Sequence, residues 1–404
     1  MLKTKIAYIF LLSCLFLVFK CKVSHEKTLD RILDFERKDF KNIVNDPIYK
    51  FQMTLTQISE SSDGVRFESL RYNVDTANYY YPASSVKLPV AILALERLNE
   101  INSASKNITI NRKTDFIVDS TRYPQTVAHY DSTTLNNRPN IENYINKIFA
   151  VSDNDAYNRL FEFLSADYIN RKLYEKGCFT NSRIIHRVGV PNFNSDDNKY
   201  TNAFHLLNNE DTLYSEAEKI SQQDYDKDLR NLKQGKAFYK QDSLIHEPFD
   251  FSRKNFVNLV DYTEIMKRIF YPKAFETKER FNLNSEQLTF LQDAMAKTPR
   301  QHISLDYDTR EYYDSYVKFF MFGDIKKPIP NHIQIHNKVG YAYGYLTDIA
   351  FIKDHKHNLE YILCASVFVN PNNTFNDDQY EYESLGIPFL AELGRRVHAE
   401  LERK

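Results

Sequence analysis

The strand-like stretches of this chain stand at its two ends, and that separation constrains the fold more than any other feature. Over residues 50–59, Phe51, Met53 and Leu55 alternate onto one side, as in a half-buried strand. The turn signal Ser61-Ser62-Asp63-Gly64 follows, and 65–73 reads as the returning strand of a hairpin. Three more strand-like runs, 333–341, 346–353 and 360–370, come near the C-terminus. Gly340 and Gly344 bracket the first connection, and 354–358 is a polar turn. Leu390, Leu393, Val397 and Leu401 then mark an amphipathic helix.

Helical patterns fill the space between. Residues 25–44 are charged and helix-like, and an apolar helix runs from Ser84 to about Asn99. Ile141, Tyr144, Ile145, Ile148 and Phe149 form one stripe, which stops at Val151-Ser152-Asp153-Asn154. Ala156, Leu160 and Leu164 open the next helix, and 167–175 is another, with Gly177 as its C-cap. Further helices are expected over 259–269 and 285–296, while 104–139 is polar and irregular. Residues 194–253, rich in Asn, Asp, Lys and Gln, read as an insertion or partly mobile surface excursion with a helix-like charged patch near 215–236. The expectation is an α+β fold: one antiparallel sheet built from both chain ends, flanking helices and an inserted all-α region. The α/β part takes about 45–82 and 297–404 and the helical part about 83–296, within one domain over 22–404.

Residues 1–21 stand apart. Lys3 and Lys5 precede an apolar run from Ile6 to Phe19, and Lys20, Cys21 and Lys22 follow. The run is short for a bilayer span and suits a secretory signal. Cys14, in Leu11-Leu12-Ser13-Cys14, and Cys21 are the two candidates for lipidation. The expected location is the cell envelope, either periplasmic or membrane-anchored as a lipoprotein. A net charge of −1 argues against nucleic acid held by bulk positive charge. Cys364 lies in an apolar run and reads as a buried thiol, and a disulfide with Cys178 stays open. No Cys/His set has zinc-site spacing. His332 and His336 point the same way on a strand but lack a third ligand. No metal and no cofactor is expected.

Chemistry concentrates in three short motifs. Ser84-x-x-Lys87 opens the first apolar helix, where the i, i+3 spacing puts the amine and the hydroxyl on one face. A serine needs a base beside it, and lysine serves when burial or a second cation keeps some of it neutral. The helix N-terminus adds N–H groups where an oxyanion forms. Pro89 cannot donate to the carbonyl of Ser85, so a local irregularity is expected there. Ser152-Asp153-Asn154 sits in a break between helices, and Lys338-Val339-Gly340 lies on a strand with Tyr341 after it. Singly, these are an N-cap cluster and an ordinary strand lysine.

In this order and secondary structure the three motifs resemble S-x-x-K, S-D-N and K-T-G of the penicillin-recognising serine hydrolases, class A β-lactamases above all. The passage from Ile148 to Ala156 resembles that family's helix–SDN–helix text. The passage from Gly340 to Ile352, with Thr347-Asp348, resembles its strand after the third motif. The resemblance covers about 45–404, interrupted by 194–253. It implies Ser84 as acylated nucleophile, Lys87 as its activator, and Ser152 as proton relay to the leaving nitrogen. It further implies Lys338 as a source of positive potential, and Asn154, Gly340 and Tyr341 at the substrate, with the N–H groups of Ser84 and Tyr341 as oxyanion hole. The implied partner is a β-lactam or a peptidoglycan-derived peptide.

Two positions depart from that pattern. Val339 replaces the usual Thr or Ser, which removes one hydrogen bond to a substrate carboxylate, about 1 kcal/mol or more. The stretch from Ile184 to Asn192 keeps an arginine, Arg187, but has no Glu after it to activate the deacylating water. Glu210 and Asp211 lie further on, and His186 reads as an ordinary loop histidine. The acidic run 377–383 reads as solvated surface. The leading expectation is β-lactamase-type amide hydrolysis. The alternatives are a D-alanyl-D-alanine peptidase or esterase on the same fold, and a catalytically silent wall-peptide binder.

Overall fold

The computed structural model describes residues 26–105, 107–302 and 305–403. The apolar segment over 1–21, with Cys14 and Cys21, lies outside them. The chain begins with a helix over 26–33 (α1), then α2 (Lys38–Asn45), β1 (Gln52–Ser61), β2 (Gly64–Tyr72) and α3 (Lys87–Ala104). Next come β3 (Asp115–Val118), α4 (Ile141–Val151), α5 (Asn154–Leu164) and α6 (Ala166–Glu175). Six short strands follow in part of the chain that reads as helical: β4 (Phe204–Asn208), β5 (Asp211–Glu216), β6 (Lys233–Gln234), β7 (Ala237–Lys240), β8 (Ser243–Ile245) and β9 (Phe249–Asp250). Helices α7 (Leu259–Phe270) and α8 (Ser285–Ala296) lead to β10 (Ile333–Ala342), β11 (Tyr345–Asp354), β12 (Leu359–Phe368), β13 (Thr374–Phe375) and α9 (Ile387–Glu402).

The two chain ends make one sheet, in the order β10-β11-β12-β1-β2. All its pairings are antiparallel, and Met53 on β1 lies between Ala365 of β12 and Tyr72 of β2. The sheet buries both faces. On β11, Ile349 and Phe351 join the core shared with the helices, while Leu346, Ala350 and Ile352 join the core under α1, α2 and α9. This two-sided burial explains why β11 and β12 read as nearly continuous apolar runs and not as clean alternation.

Helix α3 crosses the middle of the helical half. From Lys87 to Glu96 every side chain is buried, as suits a helix apolar on all sides. The irregularity expected near Pro89 takes the form of a 3-10 turn over Ala83–Val86 that passes into α3 at Lys87. Pro89 therefore sits in the first turn of α3, where an N–H has no intrahelical partner in any case.

The stretch 194–253 is where the sequence reading needs correction. No helix forms over 215–236; the chain there is the end of β5, irregular backbone and β6. β4 and β5 extend β3 into a small antiparallel sheet, β7 pairs with β13 on one side and β8 on the other, and β6 pairs with β9. The physical cause is the spacing of the apolar residues. Phe204 and Leu206 are both buried, two apart on β4, which is strand spacing. Phe249 and Phe251 pack on Phe375 at 5.7 and 5.4 Å between ring centroids. Cys178 and Cys364 are both buried thiols and form no disulfide. No helix among the described residues is long and apolar enough to cross a membrane.

Candidate active site

The turn carrying Ser84 is fixed from several sides. Tyr79 and Tyr80 are buried and donate their hydroxyls to the carbonyls of Asn255 and Val257, at 2.9 and 2.5 Å. Ser85 donates to the Pro82 carbonyl at 2.6 Å, and its hydroxyl shares a second bond of 2.6 Å with Tyr262. Ala83 sits at φ +48, a conformation costly for a residue with a Cβ. Strand β10 presses on the same turn. A Cβ on Gly340 would lie 2.6 Å from the Pro82 carbonyl and 2.7 Å from the backbone nitrogens of Ser84 and Ser85. Only glycine allows this approach.

The break between α4 and α5 supplies the next groups. Ser152 ends α4 in the left-handed conformation, φ +60. Asp153 then caps α5, its side chain accepting from the Ala156 N–H at 2.8 Å. Lys87 turns its amine into this break. It donates to the Ser152 carbonyl at 2.5 Å and to Asn154 Oδ1 at 2.6 Å, and lies 3.4 Å from Ser152 Oγ. Lys338 reaches Ser152 Oγ from β10 at 2.7 Å. Ser84, Lys87, Ser152, Asn154, Lys338, Gly340 and Tyr341 are thus brought together at one place in the fold. Among the described residues Ser84 Oγ has no hydrogen-bond partner.

Burial sets the charge state here. It lowers the Lys87 pKa to about 7, with the nearby Asp153 charge acting the other way. Burial also drives Lys338 well below the usual lysine value, helped by the positive charge of Lys87. A third lysine, with no motif around it in the sequence, lies behind these two. Lys318 donates to the carbonyls of Met295 and Ile335 and to Asn337 Oδ1 at 2.6, 2.9 and 2.8 Å. Asn337 in turn donates to Asp348 at 2.7 Å. Burial raises Asp348 to about 6 and lowers Lys318 to about 7.

Ser84 opens onto a cavity of about 400 Å³ lined by Tyr81, Asn154, Val188, Gly189, Tyr341 and Tyr343 among others. The short strands build part of its wall, since Phe249 and Phe251 pack on Tyr343 at 5.3 and 5.5 Å. Opposite, the stretch 184–189 is strapped to α5. Asn158 exchanges hydrogen bonds with Val188, at 3.0 and 2.9 Å, and Arg187 pairs with Glu162 at 3.0 Å, both buried. Gly189 stands at φ +64, and a Cβ there would be 2.4 Å from Asn154 Nδ2.

The expectation for Val339 changes in this light. Val339 is 1% exposed and belongs to the apolar core under α9. It does not line the cavity, so its missing hydroxyl is a feature of that core. His336 is buried with its Nδ1 at 2.9 Å from the Gln292 carbonyl, and among the described residues neither it nor His332 belongs to a group of three or more potential metal ligands. His186 stacks on Tyr81 and its Nδ1 faces the Arg187 carbonyl. Burial lowers its pKa to about 3, and it does not line the cavity.

A model described as the Beta-lactamase enzyme family matches residues 38–245, just over half of the chain. The chain belongs to that family. A β-lactamase from Desulfarculus baarsii shares the fold of this family member, with TM-score 0.50 and 11% identity over 93% of this chain and 97% of the other. A β-lactamase from Sphaerobacter thermophilus is 16% identical, covering 87% of this chain and 91% of its own, with TM-score 0.45. PBP-A is 12% identical over 90% and 94%, with TM-score 0.49. No curated protein matches. The motifs and the family agree on a serine hydrolase of β-lactamase type.

Proposed function

We propose that this β-lactamase-family protein is exported to the cell envelope and forms an acyl-enzyme at Ser84 with the amide carbonyl of a β-lactam or a wall-derived peptide. The observation that carries this reading is Ser152 Oγ between two buried amines, 2.7 Å from Lys338 and 3.4 Å from Lys87. Neutral Lys87 takes the Ser84 proton as Oγ attacks the carbonyl carbon. The developing oxyanion meets the N–H groups of Ser84 and Tyr341. The C–N bond then breaks, and the proton passes from Lys87 through Ser152 to the leaving nitrogen. Asn154 orients Lys87 and the substrate amide.

Deacylation separates two versions of this activity. The stretch 184–189 contributes Val188 and Gly189 to the cavity, and Asp378 is the one carboxylate among the described residues that line it. Release of the acyl group by water wants a general base. The poverty of acids beside Ser84 therefore favours a long-lived penicilloyl-enzyme, with faster turnover of a D-alanyl peptide or ester as the second reading. Intact-mass measurement of the protein mixed with penicillin G, beside Ser84→Ala, tests both. An adduct lasting minutes on the parent and absent from the variant is the expected result. Clearance within seconds would favour plain β-lactamase action, and no adduct on folded protein would sink the proposal. Processing of the segment over 1–21 in an envelope fraction tests the export.

A further inference from the structure

A second cluster of reactive side chains lies at the other end of the sheet. Asp354 ends β11, His357 is in the turn to β12, and His398 and Glu402 are on α9, where the i, i+4 spacing puts them on one face. His357 Nδ1 is 2.6 Å from Asp354 Oδ2 and 2.9 Å from Glu402 Oε1. His398 Nε2 is 3.1 Å from each of the same two oxygens. Two imidazole nitrogens and two carboxylate oxygens alternate around a ring, all within 4.8 Å of one another.

Hydrogen bonds alone serve this ring poorly. Each nitrogen carries at most one proton, yet each faces two oxygens at similar distance. One divalent cation at the centre would meet all four donors at once, its charge balanced by the two carboxylates. Zinc bonds nitrogen and oxygen at about 2.0–2.2 Å, which sets tetrahedral donors about 3.3–3.5 Å apart. The four edges, 2.6–3.1 Å, must lengthen by about 0.2–0.9 Å to reach that spacing, and the diagonals, no more than 4.8 Å, must close toward it as the ring puckers around the ion.

The outer atoms of the inner pair are already held. Asp354 Oδ1 accepts the Lys356 and His357 N–H groups at 2.8 and 3.3 Å, which leaves Oδ2 for the ring. The Tyr361 hydroxyl lies 3.2 Å from His398 Nδ1, so that Nε2 faces inward. Such outer partners are what orient metal-binding imidazoles and carboxylates. Asp354 and His398 are buried, whereas the His357 and Glu402 side chains keep 38% and 35% exposure. Two donors are fixed in advance, and two on the open side can close on an arriving ion.

The geometry points to a divalent-cation site, zinc by its two-nitrogen, two-oxygen donor set, formed by Asp354, His357, His398 and Glu402 and tying α9 to the β11–β12 turn. Zinc-type spacing is invisible in the sequence because the donors come from separate stretches of chain. From Thr347, opposite Gly340, to Asp354 is about 24 Å along the strand at ~3.4 Å per residue. The ion is therefore a structural clamp and takes no part at Ser84.

Calorimetric titration of the chelator-treated chain with Zn²⁺ is the test, with thermal melting alongside. One ion per chain and a raised melting temperature are expected. His357→Ala and Glu402→Gln, both on exposed side chains, should each weaken zinc binding at least tenfold while melting like the parent in chelator. His355→Ala, in the same turn, should bind as the parent does. If folded parent takes up no stoichiometric zinc, or if both variants bind it undiminished, the site does not exist.

Discussion

The Lys338 amine donates to the Ser152 hydroxyl across 2.7 Å, and the lysine is 2% exposed. The only other polar contact of that amine among the described residues is the Val339 carbonyl, also at 2.7 Å. Ser152 is thus half of the solvation of a buried amine as well as the relay proposed above. Ser152→Ala should slow acylation of Ser84 by about 10²–10⁴-fold, the range for loss of a positioned proton-transfer group. Burst kinetics with a chromogenic cephalosporin would measure it. A loss below threefold would remove Ser152 from the proton path.

The depressed pKa of Lys87, about 7, gives acylation a direction in pH. In the proposed mechanism the base is the neutral amine, whose share grows as pH rises through that value. The acylation rate should therefore climb between about pH 6 and 8 and then level off. Asp153 is the charge that opposes the depression. Asp153→Asn, which keeps a helix-capping side chain, should move the rising limb to lower pH. Single-turnover rates across pH check both statements, and a flat profile would exclude Lys87 as the base.

Gly340 is the contact through which β10 meets the Ser84 turn. An alanine there would drive its Cβ to within 2.6–2.7 Å of three backbone atoms in the Ser84 turn, so the strand or the turn must retreat. Overpacking of this kind costs about 1–3 kcal/mol of stability. A misplacement near 1 Å can cost about 10²-fold in rate. Denaturant unfolding and acylation kinetics of Gly340→Ala should show both, the loss of rate exceeding what unfolding explains. Normal acylation would mean that the turn tolerates the shift.

Much of this was visible in the sequence where local pattern and tertiary role coincide. Alternation placed β1, apolar strand-like runs between turn signals placed β2, β10, β11 and β12, and Ser152-Asp153-Asn154 announced a helix break because capping chemistry is local. The rest depended on partners far away in the chain. Val339 sits in a strand motif, but only the packing of α9 reveals that its side chain belongs to the other core. Lys318 carries no sequence mark at all, since its burial is created by the Met295 and Ile335 carbonyls and Asn337. The strands over 204–250 were hidden by polar composition, because their apolar residues are few and find partners in Phe375 and Tyr343.

Acid should destabilise this fold through histidines that are buried neutral. Burial lowers His186 to about 3 and His302 and His336 to about 4, against about 6.5 in an unfolded chain. Between those values the unfolded state binds more protons than the folded one, so stability falls as pH drops from about 6.5 toward 4. Asp348 acts with the opposite sign. Its folded value of about 6 lies above the ordinary carboxylate range, so it favours the folded state as pH falls over part of the same window. Three histidines against one aspartate leave a net loss, on the order of several kcal/mol. Melting temperature should therefore decline steadily from pH 7 to pH 4.5 at constant ionic strength. His302→Gln, at a buried position whose Nε2 has no partner, should flatten that slope whatever it does to stability at neutral pH. A parent protein whose melting temperature holds level over that range would show that these imidazoles are solvated or paired when charged.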